Sequence, residues 1–330
     1  MTWSTTQAWC WSGPGGTETL TLQPYRLPPL GARDVVVANR VIALNPVDWK
    51  LMAHGHSAWQ PGHVPGVDGM GLVVAVGRDV HHLAVGTRVA YHTDLRRAGS
   101  FARHTQVPAR ALLSVPEGLS DEAAAAMPCP ALTAWQALAK LPESAGQALL
   151  ITGAGSNVGH WIVQLARTRG WRLFASAGAR HHDWLTRHGV QAVADYADTA
   201  WLARLLAANG GQPFDAIIDL VSSSQAQQLL PALGYYGHLV AVLGRVEHNP
   251  LPAFNHCHSL HEIALGAAHV HASDRQWSQL VAAGNRMLQQ LVSGELAVPA
   301  LRKSPFAALP DAVRQLQQAS HGEKFLIHID

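Results

Sequence analysis

ALLITGAGSNVGHWIVQLA, residues 148–166, reads as an apolar strand, a glycine-containing turn and a helix. A strand that runs through such a turn into a helix is the context a dinucleotide-binding fingerprint requires. Gly153 and Gly155 can take backbone angles closed to other residues, and small side chains let a pyrophosphate approach the main chain. The helix that follows offers free N–H groups and the positive end of its dipole to phosphate. Gly159 permits close packing of helix on strand. The spacing is Gly153-x-Gly155-x-x-x-Gly159 rather than a strict GxGxxG, and Ser156 and Asn157 stand where glycines are more usual. Both can donate side-chain hydrogen bonds to phosphate, and the predicted contact segment runs on to Val158. The plainer alternative is a tight strand–helix turn that binds nothing.

The next strand tests the choice of cofactor. NAD sites place an Asp or Glu about 20 residues on, against the ribose hydroxyls. Here the segment is WRLFASAGARHH (171–182), with no carboxylate before Asp183. Ser176, Ala177 and Gly178 leave room for a 2′-phosphate, Arg180 can pair with it, and His181 and His182 can assist. NADP(H) is therefore expected over NAD(H). The alternative for Arg180 is a helix cap or a solvent-facing side chain. Leu243 and Gly244, at the end of the predicted fifth strand of the same sheet, are expected near the nicotinamide, because such sheets bind ligands at the carboxyl ends of their strands.

Outward from this core, strands and helices alternate. Strands are predicted at 171–176, 192–195, 214–220, 238–243 and 263–269, and helices at 158–168, 181–188, 201–208, 225–233 and 273–291. That alternation argues for a parallel, doubly wound α/β sheet. Residues 1–125 differ: β-branched runs at 34–41, 71–76 and 87–91 lie between Gly, Pro and Asp turns, as suits an antiparallel barrel with long loops. Ser120 caps a helix that begins DEAAAAM and breaks at Pro128. The final KFLIHID reads as a strand returning to the first domain. The expected domains are 1–125, 126–272 and the return segment 273–330.

Composition excludes several classes. The 24 basic and 22 acidic residues are spread along the 330-residue chain, with no basic stripe for nucleic acid. Cys10, Cys129 and Cys257 are too few and too scattered for a disulfide framework. No apolar run is long enough to span a membrane, and the first residues lack the pattern of a signal peptide, so a cytoplasmic location is expected.

The segments VIALNPVDWK (41–50), VPGVDGMGLVVAVGRDVHHLAVGTRVA (64–90), GSFARHTQVP (99–108) and MPCPALTAWQAL (127–138), followed by the nucleotide loop, occur in the order found in medium-chain dehydrogenases/reductases. The chain resembles the zinc-free, zeta-crystallin-like quinone oxidoreductases of that superfamily through LNPVDWK and LTAWQAL. The resemblance implies a GroES-like β-barrel catalytic domain, an inserted Rossmann domain and a C-terminal return, with the active site in the cleft between the two domains. It places Asn45 in a loop near the nicotinamide, Asp48 as an anchor of that loop and Trp49 as a pocket wall. Thr133 falls near the nicotinamide ribose and Tyr196 at the adenosine phosphate. For each of these a packing or turn-forming role is the alternative.

Zinc alcohol dehydrogenases carry a Cys where this chain has Asn45 and a Gly-His-Glu where it reads Gly66-Val67-Asp68. Cys129 retains a sulfur at the third position, but a thiolate with Asp68 is too small a ligand set, and HTDLRRAGSFARH (92–104) lacks the four cysteines of the structural-zinc lobe. No metal is expected. Without a Lewis acid, the resemblance implies NADPH-dependent hydride transfer to quinones or α,β-unsaturated carbonyls, by a homodimer acting on a small molecule. Two alternatives stand: a non-catalytic NADPH-binding protein and a zinc-type alcohol dehydrogenase. The segment NHCHSLHE (255–262) lacks regular ligand spacing and is expected to be a loop over the substrate.

Overall fold

A computed structural model describes residues 3–142, 145–318 and 322–329. The chain divides into two units, one of residues 1–132 with 266–330 and one of residues 133–265. The expected boundaries were 125/126 and 272/273.

The first unit opens with a hairpin of β1 (Thr5–Trp11) and β2 (Leu20–Arg26). There follow β3 (Asp34–Ala43), β4 (Asp68–Val76), β5 (Arg88–His92), β6 (His104–Pro108) and β7 (Leu112–Ser114). β3 is long because β-branched residues dominate DVVVANRVIA and most are buried. β4 lies along one side of it, while β6 takes the first half of the other side. At Asn39 the register shifts and the strand changes partner. The buried Asn39 amide donates to Ala102 O at 2.7 Å and accepts from the Tyr91 hydroxyl at 2.6 Å, which satisfies the polar groups at that break.

The second unit holds β8 (Ala148–Thr152), β9 (Arg172–Ser176), β10 (Val190–Ala194), β11 (Phe214–Asp219), β12 (Leu233–Ala241) and β13 (Ser259–Glu262). All pair in parallel, in the spatial order β10-β9-β8-β11-β12-β13. Renumbered from β8, this is 3-2-1-4-5-6, the doubly wound order whose reversal point lies between the first and fourth strands. Its core holds Leu150, Phe174, Leu205, Phe214, Ile217 and Leu239.

The chain then returns to the first unit through β14 (Leu301–Pro305) and β15 (Lys324–His328). β15 pairs antiparallel with the second half of β3, opposite Val41–Ala43, so KFLIH is a strand of the first sheet, as its pattern suggests. Phe325 and Ile327 join the core formed with Ile42, Leu44, Met52 and Phe101.

Two local expectations are corrected. Residues 263–269 are not a strand; the edge strand is β13, and a short 3-10 turn and helix follow at Leu265–Ala267 and Ala268–His271. Part of segment 255–262 is therefore sheet, not loop. Asn45 ends the short link between β3 and a helix, Pro46–His54, and caps that helix, whose proline occupies the first helical position, where a missing N–H costs nothing. Among the described residues no helix is long and apolar enough to cross a membrane.

Phe174 is fully buried, with its ring 5.4 Å from that of Phe214. Phe174→Ala should lower unfolding free energy by about 3–5 kcal/mol, read from the denaturant midpoint of the second unit; a loss under about 1 kcal/mol would contradict this packing.

Candidate functional site

In the second unit, β8 ends at Thr152 and the chain turns through Gly153, whose φ of +68° is open to glycine and strained for other residues. A Cβ on Gly153 would lie 3.3 Å from Leu220 Cβ and 3.2 Å from Val221, in the loop after β11. The two loops meet here, at the reversal point of the strand order. Ser156 is the N-cap of the helix Asn157–Thr168, its Oγ accepting from Gly159 N at 3.1 Å. A Cβ on Gly159 would overlap the Ala154 backbone, and one on Gly155 would overlap the His181 ring. Asp219 braces the crevice from the other side. It accepts from the Thr152 hydroxyl at 2.5 Å and from the amides of Val221 and Ser222 at 3.1 and 2.9 Å.

Beside this loop, β9 ends at the buried Ser176, and the chain continues through Gly178 to the exposed Arg180. Tyr196, 63% exposed, stands over Gly178: a Cβ there would be 3.5 Å from its hydroxyl. Ser176, Gly178, Arg180 and Tyr196 thus share one end of the sheet. His182 differs from the expectation of a phosphate ligand, because its Nε2 is spent on Ala177 O at 3.0 Å. Leu243 and Gly244 follow β12 at the same carboxyl edge. Leu243 is 44% exposed, and Gly244, at φ +100°, lies against Ser223. Thr133 is buried within the helix Pro128–Ala139.

The first unit contains a polar cluster sealed from solvent. Asp68 and His92 are direct cross-strand partners of β4 and β5, with His92 Nδ1 2.9 Å from Asp68 Oδ1. Asp68 Oδ2 accepts from Asn45 Nδ2 at 2.9 Å and from Cys129 N at 3.0 Å. Lys324, 0% exposed, donates to Asn45 Oδ1 at 2.6 Å and lies 3.8 Å from Asp68 Oδ2. Asp48 accepts from the amides of Asn45 and Val67 at 2.7 and 3.1 Å. The Asn45 side chain is thus committed inside the protein on both its polar atoms. Trp49 is half-buried against the core, and Cys129 is half-buried. Elsewhere in the first unit, Trp11, Pro14, His54, His56, Ser57 and Trp59 line a cleft.

Two family models match the chain, the alcohol dehydrogenase GroES-like domain over residues 31–117 and the zinc-binding dehydrogenase over residues 157–284. The trans-enoyl reductase tazE of Aspergillus terreus is 30% identical over 212 residues, covering 58% of this chain and 69% of that protein. The chain is a medium-chain dehydrogenase/reductase. It is also similar to the phthioceranic/hydroxyphthioceranic acid synthase of Mycobacterium tuberculosis, 27% identical over 324 residues and 96% of this chain, although it spans only 15% of that protein's length. A quinone oxidoreductase of Pseudomonas syringae pv. Tomato DC3000 shares its fold, with a TM-score of 0.84, 22% identity and coverage of 98% and 99% of the two chains. Membership of that superfamily implies a nicotinamide cofactor.

The superfamily includes zinc enzymes, so the fit to a metal bears on the chemistry. Among the described residues, the group of three His, Cys, Asp or Glu side chains able to share an ion is Asp68, His92 and Cys129, whose ligand atoms lie within 4.8 Å of one another. Segment 255–262 forms no such group. The residue types suit zinc. Their surroundings do not, because both oxygens of Asp68 already accept hydrogen bonds and a buried ammonium stands beside Oδ2. An ion on that carboxylate would meet Lys324 at close range in a weakly screening interior.

Sequence reasoning missed His92 and Lys324 in this medium-chain dehydrogenase/reductase. His92 was legible in part, since it directly follows the predicted strand 87–91, but its pairing with Asp68 was not. The signal for Lys324 was a charge heading an apolar strand.

Burial pushes the Asp48 carboxyl up to about 7, with Asp68 adding to the rise and the amides of Asn45 and Val67 and the Lys324 ammonium opposing it. A carboxyl raised in the folded state stabilises below its unfolded value, and that contribution is lost as pH rises through the folded one. Stability from this group should fall between about pH 4 and 7 by a few kcal/mol in order of magnitude. Comparing urea unfolding of wild type and Asp48→Asn across that range isolates it; equal slopes would refute the assignment.

Proposed function

We propose that this medium-chain dehydrogenase/reductase is an NADPH-dependent reductase that delivers hydride to quinones or α,β-unsaturated carbonyls without a metal ion. The observation that carries the cofactor preference is the carboxyl end of β9. It presents Ser176, a side-chain-free Gly178, the exposed Arg180 and the Tyr196 ring, and no carboxylate where an NAD ribose would need one. On this reading the helix N-terminus at Ser156–Val158 receives the pyrophosphate, and Gly153, Gly155 and Gly159 keep the main chain close to it. Arg180 pairs with the 2′-phosphate, and Leu243 and Gly244 border the nicotinamide end.

When bound, NADPH supplies a hydride to the electron-poor carbon of the acceptor. Quinones and enones suit a site without a Lewis acid, since hydride addition leaves a negative charge spread over a conjugated oxygen, and solvent can supply the proton. The chain's own part is to bind, orient and exclude water. Asn45 and Asp48 contribute by fixing the buried scaffold of the first unit rather than by reaching a substrate. The aromatic cleft at Trp11 and Trp59 supports a planar acceptor. The relative named as a trans-enoyl reductase supports the enone class. The outer edge of β13, which has no strand partner among the described residues, supports the expected homodimer.

The test is loss of NADPH absorbance with a panel of small quinones and enals, run in parallel with NADH. Turnover with NADPH is expected. Arg180→Ala should raise KM for NADPH about tenfold or more, equivalent to about 1.4 kcal/mol, and leave that for NADH nearly unchanged. No turnover over the whole panel would overturn the reductase reading; an equal effect on both cofactors would overturn the role of Arg180.

A further inference from the structure

We infer that Lys324 is a built-in cation that keeps the Asp68–His92–Cys129 cluster closed to divalent metals, and that removing its charge alone opens the cluster to a transition-metal ion. The inference deepens the metal-free part of the function proposed above and rests on it.

The donor set favours such an ion. A carboxylate, an imidazole and a thiol lie with ligand atoms within 4.8 Å of one another, on β4, β5 and the helix Pro128–Ala139. These are the ligand types of zinc and cobalt(II) sites, and three of them with an open position is the pattern of a catalytic site. Asp68 has no solvent exposure, so its charge must be answered inside the protein.

Lys324 gives that answer. Its ammonium is fully buried, 2.6 Å from Asn45 Oδ1 and 3.8 Å from Asp68 Oδ2. Asn45 completes the link by donating through Nδ2 to the same Asp68 oxygen at 2.9 Å. Position 45 therefore serves as a relay between a buried cation and a buried anion. A dication on Asp68 would stand beside the ammonium with neither charge screened by water. Asp68 would also have to give up its hydrogen bond to His92 at 2.9 Å. With a neutral side chain at 324, the balance reverses. Asp68 loses its ammonium neighbour and keeps only the His92 ring as an ion-pair partner, and a metal ion held by both then satisfies it.

The experiment uses the full chain, purified metal-free, as wild type, Lys324→Met, Lys324→Arg and the double variant Lys324→Met/Cys129→Ser. Each is titrated with cobalt(II) near neutral pH and followed by the thiolate-to-cobalt absorption band, with folding checked by circular dichroism. Lys324→Met should bind one equivalent with a Kd at least about tenfold below that of wild type. The band should vanish in the double variant, and Lys324→Arg should behave as wild type. A cysteine-dependent cobalt band at one equivalent in wild type would overturn the inference, and so would a folded Lys324→Met that binds no tighter than wild type. Should Lys324→Met fail to fold, the wild-type titration decides alone: the band refutes and its absence supports. Because the readout is optical, a protein that turns over no quinone or enone sinks the reductase reading without touching this one.

Discussion

A carboxylate with no access to water must be neutralised where it sits, and in the first unit that requirement organises everything around Asp68. Its two oxygens collect a ring nitrogen from β5, an amide from the residue that caps the helix at Pro46, a backbone N–H at the start of the helix at Pro128, and the nearby charge of Lys324 from β15. Four elements far apart in sequence are thereby held to one point. Asp48, beneath it, ties the same helix start to Val67 through two more backbone amides. The unit's apolar core would hold these elements together without Asp68, but not in one register, since apolar contact is non-directional and hydrogen bonds are not.

The second unit solves a different problem. Its sheet needs no polar hub, because strand order alone produces a crevice at the reversal point, and the loop at Gly153 meets the loop at Leu220 there. What the side chains add is rigidity. Asp219 fastens the second loop to Thr152, and Ser156 fixes the helix start. The two kinds of order suit two tasks: a rim of backbone donors fits a ligand with many charges, as proposed above, whereas a sealed network defines a scaffold that must not move.

This difference explains what could be read from sequence. The strand, turn and helix at 148–166 were legible because each signal is local: an apolar run, glycines at the turn and a hydroxyl at the cap. The strand KFLIH was legible for the same reason. Residues 263–269 were misread as a strand because a short apolar run fits sheet and helix alike, and only pairing with β12 shows that the edge strand ends at Glu262. The helix that Asn45 caps was not foreseen, because Asn-Pro signals a turn as readily as a helix cap, and the distinction lies in whether the next residues bury a face. Lys324 and Asn45 are 279 residues apart, and no local pattern joins them.

The same separation bears on how far a family name reaches. The match to the zinc-binding dehydrogenase model covers residues 157–284, which contain none of Asp68, His92 and Cys129. That stretch largely builds the dinucleotide sheet, whose geometry is indifferent to whether a metal operates in the other unit. The residues that bear on a metal lie at positions 45, 68, 92, 129 and 324, where Asn stands in the place of a sulfur ligand of zinc alcohol dehydrogenases and Lys324 lies 3.8 Å from Asp68 Oδ2. A chain can therefore match the zinc-binding dehydrogenase model over its dinucleotide-type sheet while, on the inference drawn above, one buried lysine governs metal access in the other unit.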